Sequence, residues 1–283
     1  LEIFTTKQAL QAYLSGVRQH NPKIGFVPTM GALHAGHLAL IKQSKAISDL
    51  TVCSIFVNPT QFNDPADLEK YPKPIENDRQ LLQSEGCDVL FMPQVDEMYG
   101  PNENWHIDLG HLDKLWEGEK RPGHYQGVTQ IVYKLFQLVR PDWAFFGQKD
   151  FQQCMVIQYM VDHLRLPIQI KVVDTIRDPD GLALSSRNAR LSPTGRRQAL
   201  ALSKALFTVK LGFEEGESFT QLKEKALDFL HQAAGITLEY FAICHTADLT
   251  EVKEEDDRKS PLVAILAAWV EGVRLIDNIR LNN

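Results

Sequence analysis

The chain has 283 residues, 44% hydrophobic and 23% charged, the make-up of an ordinary globular protein with a substantial core, in one large domain or two modest ones of ~100–200 residues each. Its formal net charge of −6 argues against a general nucleic-acid binder, which carries a basic excess, and leaves room for a local anion site. The 4 cysteines, Cys53, Cys87, Cys154 and Cys244, show no CxxC spacing and read as reduced thiols; with no apolar run near the ~20 residues that span a bilayer and no signal-peptide pattern, a cytoplasmic protein is expected.

Residues Thr5 to Arg18 space Leu10, Tyr13, Leu14 and Val17 for one helical face. Ile24-Gly25-Phe26-Val27 then reads as a buried strand, broken at Pro28 and Gly31 before a helical segment at Leu38 to Lys42. Between strand and helix stand His34 and His37, in the order His-x-Gly-His. A strand that turns into a helix start is an anion site, because backbone N–H groups and the helix dipole point outward there. Gly36 admits close backbone approach, and two imidazoles add donors for phosphate oxygens. Two histidines three apart can also be a metal pair. The HExxH pattern, however, needs a glutamate where Ala35 and Gly36 stand. The stretch therefore reads as a nucleotide phosphate cradle.

Leu50 to Val57 is a second buried strand, stopped by Asn58-Pro59; a helix near Ile75 to Glu85 precedes a third at Asp88 to Phe91. Strands alternating with helices predict an α/β fold with a parallel sheet covered on both faces. Ligands then bind beyond the carboxyl ends of the strands, in the loops after Val27 and Val57. Tyr99 to Gly123 reads mostly as loop and ends in a basic cluster, Lys120 to His124, that fits a solvated turn as well as an anion contact. A helix follows at Val128 to Leu138, then a strand at Trp143 to Phe146, and Gly147 to Gln153 enter a helix reaching Leu164. Lys149 at this second strand-to-helix junction is a candidate phosphate ligand, since an ammonium supplies charge and three donors. Ile168 to Val173 reads as a strand. After the turn Asp178 to Gly181 come Ser185-Ser186-Arg187-Asn188, hydroxyls beside a guanidinium, which suit polyphosphate oxygens but are common in loops.

Past Ser192-Pro193 the pattern changes. Helices at Thr194 to Leu211 and Phe219 to Ala233 precede strands at Thr237 to Ile243, Leu262 to Val270 and Val273 to Ile279. The charged stretch Thr250 to Lys259 reads as a solvated loop. These elements predict a smaller α+β domain beginning near Arg177.

Five stretches carry a resemblance: VPTMGALHAGH (27–37), VNPTQF (57–62), RPGHYQGV (121–128), FGQKDFQQ (146–153) and LSSRNARLS (184–192). They stand in the order seen in the pantoate–β-alanine ligases, and over most of its length the chain resembles that family of the HIGH-motif nucleotidyltransferase-like group. HxGH alone is shared with other nucleotidyltransferases; the five together are specific. The resemblance implies a Rossmann-like parallel-sheet domain at 1–176 that binds ATP and pantoate. It implies a smaller C-terminal α+β domain at 177–283 that closes over the active site. The implied reaction joins pantoate and β-alanine at the expense of ATP in two steps: the pantoate carboxylate attacks the α-phosphate to give pantoyl adenylate and pyrophosphate, then the β-alanine amine displaces AMP. Mg2+ on the nucleotide, a homodimer, and no nucleic-acid or membrane partner complete what it implies.

Carried over by position, the ATP loop is Met30, Gly31, Ala32, Leu33, His34, Ala35, Gly36 and His37, with Pro28 at its entry. Gly147, Gln148, Lys149 and Asp150 follow as ATP contacts, then Ile176, Leu184, Ser185, Ser186 and Arg187. The catalytic set is His34, His37 (matching the family's proton donor) and Lys149. Gln61 and Gln153 match the residues that hold pantoate. The protein ligands of Mg2+ stay unnamed. Leu184 stands where many members have Met, a volume-conserving change, and Ala66 where an acidic residue is frequent. Two other readings share part of this pattern. A nucleotidyltransferase that stops at a nucleotide conjugate has no need of Gln61 and Gln153. A non-catalytic nucleotide-binding module has no need of His34, His37, Lys149, Ser186 and Arg187 together.

Overall fold

Side-chain alternation in the strands sets the layering of the first part of the chain. The computed structural model describes residues 1–101 and 103–282. Its elements begin with β1 (Glu2–Phe4), α1 (Lys7–Val17), β2 (Ile24–Thr29), α2 (Ala35–Ile47) and β3 (Leu50–Ile55). Then come α3 (Pro65–Glu69), α4 (Ile75–Ser84), β4 (Val89–Phe91), α5 (Val95–Met98), α6 (Trp116–Lys120) and α7 (His124–Val139). β5 (Trp143–Gly147), α8 (Phe151–His163) and β6 (Gln169–Val173) end this part. The six strands lie in the order β1-β4-β3-β2-β5-β6 and every pair is parallel.

Successive strand residues point to opposite faces, and both faces are apolar. Phe26, Val52, Phe91, Ala144 and Phe146 pack with Leu10 and Leu14 of α1, Leu135 and Phe136 of α7, and Ile157 and Met160 of α8. Their neighbours Val27, Cys53, Leu90 and Phe145 pack on the other side with Leu40 and Ile41 of α2 and Leu82 of α4. A parallel sheet whose strands are apolar on both sides must be covered on both, and the fold is α/β. All four cysteines are free and buried.

Two compact units divide the chain, one of Leu1–Gln148 with Gln152–Asp174, the other of Lys149–Phe151 with the residues from Thr175 onward. The sequence drew the line after Ile176. The second unit contains α9 (Pro193–Glu214), α10 (Phe219–Gln232), β7 (Ile236–His245), β8 (Leu262–Val270) and β9 (Val273–Arg280), the strands forming an antiparallel sheet in that order. Ser218 and Gln221 close the N-terminus of α10 with a reciprocal capping box, which satisfies two otherwise orphaned donors. Leu202, Leu206, Leu222, Leu230, Phe241 and Leu266 fill the core between helices and sheet.

Some elements differ from expectation. α2 begins at Ala35 and α7 at His124, each earlier than the apolar periodicity indicates. His34 caps the first and a left-handed Gly123 turns the chain into the second, so neither start needs an apolar residue. The 99–123 stretch contains the short α6, and β1, α3 and α5 are too short to announce themselves by period. Among the described residues, no helix is long and apolar enough to cross a membrane.

Candidate active site

From β2 the chain winds through β3 toward one edge of the sheet, then returns through β5 toward the other. The helices after β2 and β5 lie on opposite faces, since α2 packs with one core and α8 with the other. The carboxyl ends of β2 and β5 thus flank a topological switch point, where open α/β sheets leave a crevice for ligands. Pro28 lies in β2 and Met30 just past it; Gly147 ends β5 and Gln148 follows, buried.

The turn out of β2 is strained and heavily tied down. Gly31 has φ +82° and Ala32 φ +50°. A Cβ at Gly31 would stand 2.9 Å from Cγ2 of Ile55 and 3.1 Å from Oδ2 of Asp78, so both φ and space require glycine. Ala32 carries a steric cost in the left-handed region. The compensation comes from Asp78 on α4, fully buried, whose Oδ2 accepts from the Ala32 N–H at 2.8 Å and whose Oδ1 accepts from the Leu33 N–H at 2.8 Å. Burial raises the Asp78 carboxyl above the usual carboxylate range, opposed by those two bonds. The Thr29 hydroxyl adds a bond to the Ser54 carbonyl at 2.7 Å and accepts from the Gly31 N–H at 3.2 Å.

This turn delivers His34 as the N-cap of α2, with extended backbone. Its Nδ1 accepts from the Gly36 N–H at 3.2 Å. In return Nδ1 of His37 accepts from the His34 N–H at 3.4 Å, and the two rings lie 4.1 Å apart at 40°. It is a capping box built from two imidazoles. The ordinary box carries Glu or Gln at the third position, and a glutamate there would place a negative charge where an anion should bind. Histidine caps the same donor without one. An imidazole that accepts at Nδ1 holds its proton, when neutral, on Nε2. Both rings are therefore fixed in the tautomer whose Nε2–H donates, beside a helix start that favours anions.

Gln61 is set by a second network, and the RPGHYQGV stretch supplies much of it. Asn58, 1% exposed, donates from Nδ2 to Gln61 Oε1 and to the Gly127 carbonyl, both at 3.1 Å. Asn58 Oδ1 accepts from the Tyr99 hydroxyl at 2.6 Å and the Thr60 hydroxyl at 3.1 Å. With Oε1 engaged, Gln61 turns its Nε2 donors toward Met30, whose Sδ is 3.2 Å away. The Gln61 carbonyl accepts from His124 Nδ1 at 2.8 Å. Arg121 Nη1 lies 3.0 Å from His124 Nε2; a guanidinium only donates, so His124 is neutral with its proton on Nδ1. The basic cluster thus orders the Gln61 turn rather than standing as a solvated surface loop. Gly127 allows α7 to reach that turn, since a Cβ there would sit 2.4 Å from the Thr60 carbonyl oxygen.

Gln153 is half-buried on α8, while its neighbour Gln152 is buried and bonded to the Leu112 and Leu115 carbonyls and the Glu117 N–H. Gln152 therefore ties a loop in place, a role with no sign in the sequence; the family resemblance singles out only its neighbour Gln153. Pro28, Met30 through His37, Gln61, Gly147, Gln148 and Gln153 all belong to the first unit.

The second unit holds Lys149, Asp150, Ile176, Leu184, Ser185, Ser186 and Arg187. Lys149 Nζ is 3.8 Å from Asp150 Oδ2. Ile176 and Leu184 face each other across a tight turn, the Leu184 N–H donating to the Ile176 carbonyl at 3.0 Å. Ser185 caps the short turn Ser186–Arg190, its hydroxyl accepting from the Arg187 N–H at 3.2 Å. That bond orders the backbone that carries Ser186 and Arg187. Among the described residues no group of three or more His, Cys, Asp and Glu side chains could hold a metal ion. Asp78 and Asn58 are not singled out by the sequence, and His124 only as part of the basic cluster. Asp78 works through the Ala32 and Leu33 N–H groups and His124 through the Gln61 carbonyl. Asn58, whose local signal is the strand stop at Asn-Pro, works through the Gln61 side chain and the Gly127 carbonyl.

Sheet order and the helices on both faces together define a doubly wound α/β protein. A family model described as Pantoate-beta-alanine ligase matches residues 2–280, and the chain belongs to the pantoate–β-alanine ligase family, enzymes that form an amide bond. It is 45% identical to a pantothenate synthetase of Cytophaga hutchinsonii, with 97% of each chain covered. It is 42% identical to that of Bacteroides thetaiotaomicron, with 99% of each covered. Among solved structures it is similar to the pantothenate synthetase of Thermus thermophilus, with a TM-score of 0.94 at 39% identity and 100% of each chain covered. It is also similar to the pantoate-beta-alanine ligase of Francisella tularensis complexed with Beta-gamma ATP and Beta-alanine, with a TM-score of 0.82 at 33% identity, 99% of this chain and 98% of that one covered.

Proposed function

We propose that this ligase joins pantoate to β-alanine through a pantoyl adenylate, using ATP and releasing pyrophosphate and then AMP. The observation that carries the reading is the imidazole capping box of His34 and His37 at the switch point, which occupies both Nδ1 atoms, puts no carboxylate in the cap and stands at a helix start, a place that favours anions. Met30 through His37 cradle the phosphates, Pro28 setting the entry. As charge builds on the α-phosphate and on departing pyrophosphate, Nε2–H of His34 and His37 and the ammonium of Lys149 neutralise it; His37 is the proton donor. Ser186 and Arg187 add a hydroxyl and a guanidinium fork for phosphate oxygens. Gly147, Gln148, Asp150, Ile176, Leu184 and Ser185 complete the nucleotide contacts.

Gln61, with Oε1 held by Asn58, offers Nε2–H to the pantoate carboxylate, and Gln153 binds the same acid. A free carboxylate is a poor electrophile toward an amine, and adenylation supplies the leaving group. No enzyme nucleophile is needed, so the protein contributes positioning and charge stabilisation. Among the described residues no cluster of three or more His, Cys, Asp and Glu side chains is built to hold a metal ion by itself. Mg2+ arrives on ATP, held by phosphates and water as is usual for this ion. Four free, buried thiols are in keeping with a reducing cytoplasm, and the family resemblance implies a homodimer there.

The test is exchange of labelled pyrophosphate into ATP, with magnesium and without β-alanine. Exchange that requires pantoate supports the reading. Formation of ADP and phosphate in the complete reaction would overturn it, because the carboxylate would then have attacked the γ-phosphate.

A further inference from the structure

Within the second unit, two adjacent residues of β9 grip both of the segments expected to contact ATP there. Asn278, 3% exposed, donates from Nδ2 to the Lys149 carbonyl at 2.8 Å. Its own backbone is pinned on both sides: the Asn278 N–H donates to Asp277 Oδ1 at 2.7 Å, and its carbonyl accepts from Arg177 Nη2 at 3.0 Å. Asp277 meets Arg177 in a fork of two bonds, at 2.6 and 2.9 Å. Arg177 also donates to the Gly181 carbonyl at 3.1 Å and pairs with Ala183, in the turn that presents Ile176 and Leu184. Two residues beyond Asn278, the Arg280 guanidinium lies over the Phe151 ring at 5.7 Å, so the residues either side of Asp150 are both held by β9. Burial pushes the Asp277 carboxyl up, opposed by Arg177 and by the charge of Lys149, which puts that carboxylate within electrostatic reach of the Lys149 ammonium.

We propose that Asn278 is a positioning residue for Lys149, fixing the lysine's backbone on β9 so that its ammonium meets the α-phosphate, while Asp277 and Arg177 hold the 176–184 turn in the same frame. The proposal rests on the reading of Lys149 as a phosphate ligand. An ammonium at the end of four methylenes gains charge-stabilising power only when its anchor is fixed. The Asn278 amide supplies that anchor through a bond to the main chain, leaving the lysine side chain to the substrate.

A double-mutant cycle tests it, read as pantoate-dependent pyrophosphate exchange in wild type, Asn278→Ala, Lys149→Ala and the double variant, with folding checked by circular dichroism. Asn278→Ala is expected to lower the exchange kcat roughly ten- to a hundred-fold with the KM for pantoate unchanged, and to cause no further loss in the Lys149→Ala background. Asn278→Ser replaces it if the alanine variant does not fold. Equal losses in both backgrounds, a loss confined to the KM for pantoate, or wild-type exchange in the folded Asn278 variant would overturn the proposal while leaving the role of Lys149 intact. Undiminished exchange in Lys149→Ala would instead strike the reading of Lys149, and the proposal with it.

Discussion

Replacing Asp78 by alanine removes the bolt beneath the phosphate cradle. Its two carboxylate bonds, each 2.8 Å, end on buried N–H groups of Ala32 and Leu33. Stranding a buried donor costs ~1–3 kcal/mol. Relief of a buried carboxylate offsets part of the sum, so a net loss of ~2–4 kcal/mol is expected. At ~2–4 °C per kcal/mol the melting temperature should fall by roughly 4–16 °C. Freed of these bonds, Gly31 and Ala32 relax from positive φ, His34 leaves its N-cap geometry, and pyrophosphate exchange should drop ~100-fold. Asp78→Asn, which keeps one acceptor, should fall between. The pH dependence has a definite sign. Because the folded state raises the Asp78 pKa above 3.8, it binds that proton more tightly than the unfolded chain does. The stability margin of wild type over Asp78→Asn therefore shrinks as pH climbs from 3.8 through the raised value, and is constant above it. Urea unfolding and exchange assays at several pH values measure both effects. An alanine variant within ~0.5 kcal/mol of wild type and with undiminished exchange would refute the reasoning.

Other substitutions separate chemistry from scaffold. His37→Ala should cut exchange by ~10²–10³ yet cost only ~1 kcal/mol of stability as a lost cap, read by exchange and by urea unfolding. Lys149→Ala should also lower exchange by orders of magnitude in a folded protein, and near-normal pyrophosphate release would remove Lys149 from the mechanism. Gly127→Ala puts a methyl 2.4 Å from the Thr60 carbonyl oxygen, so it should cost ~1–3 kcal/mol and raise the KM for pantoate through Gln61; an unchanged KM would detach α7 from substrate binding. Burial raises the Cys53 and Cys244 thiols and pushes Cys87 up to about 12. A thiol reagent at pH 8 should therefore leave all three untouched until urea unfolds the chain.

Much of this architecture is legible without coordinates, for a physical reason. The buried strand 262–270 is an unbroken apolar run, Leu50–Ile55 is interrupted only by the small residues Thr51 and Ser54, and the strand–helix alternation leaves few topologies open. The His-x-Gly-His stretch is equally plain, because a turn followed by a helix start is a local feature. Asp78 and Asn278 are opaque in the sequence. Each acts 45 or more residues away, on main-chain N–H and carbonyl groups common to nearly all residues, so no spacing betrays them. Gln152 and Gln153 show the same limit in miniature: adjacent and identical, one is absorbed by the Leu112–Glu117 loop and the other is not, and it is the family resemblance, not any local pattern, that sets Gln153 apart. The box formed by His34 and His37 is legible as two histidines at a helix start, but the capping role of their Nδ1 atoms emerges only from the geometry.

The claim that the carboxylate attacks the α-phosphate has one direct test. Pantoate labelled with 18O in its carboxylate is incubated with ATP, Mg2+ and β-alanine, and the products are examined by mass spectrometry. An acyl adenylate requires one labelled oxygen to leave in AMP with each pantothenate formed. Label in inorganic phosphate, or unlabelled AMP beside pantothenate, would contradict the account.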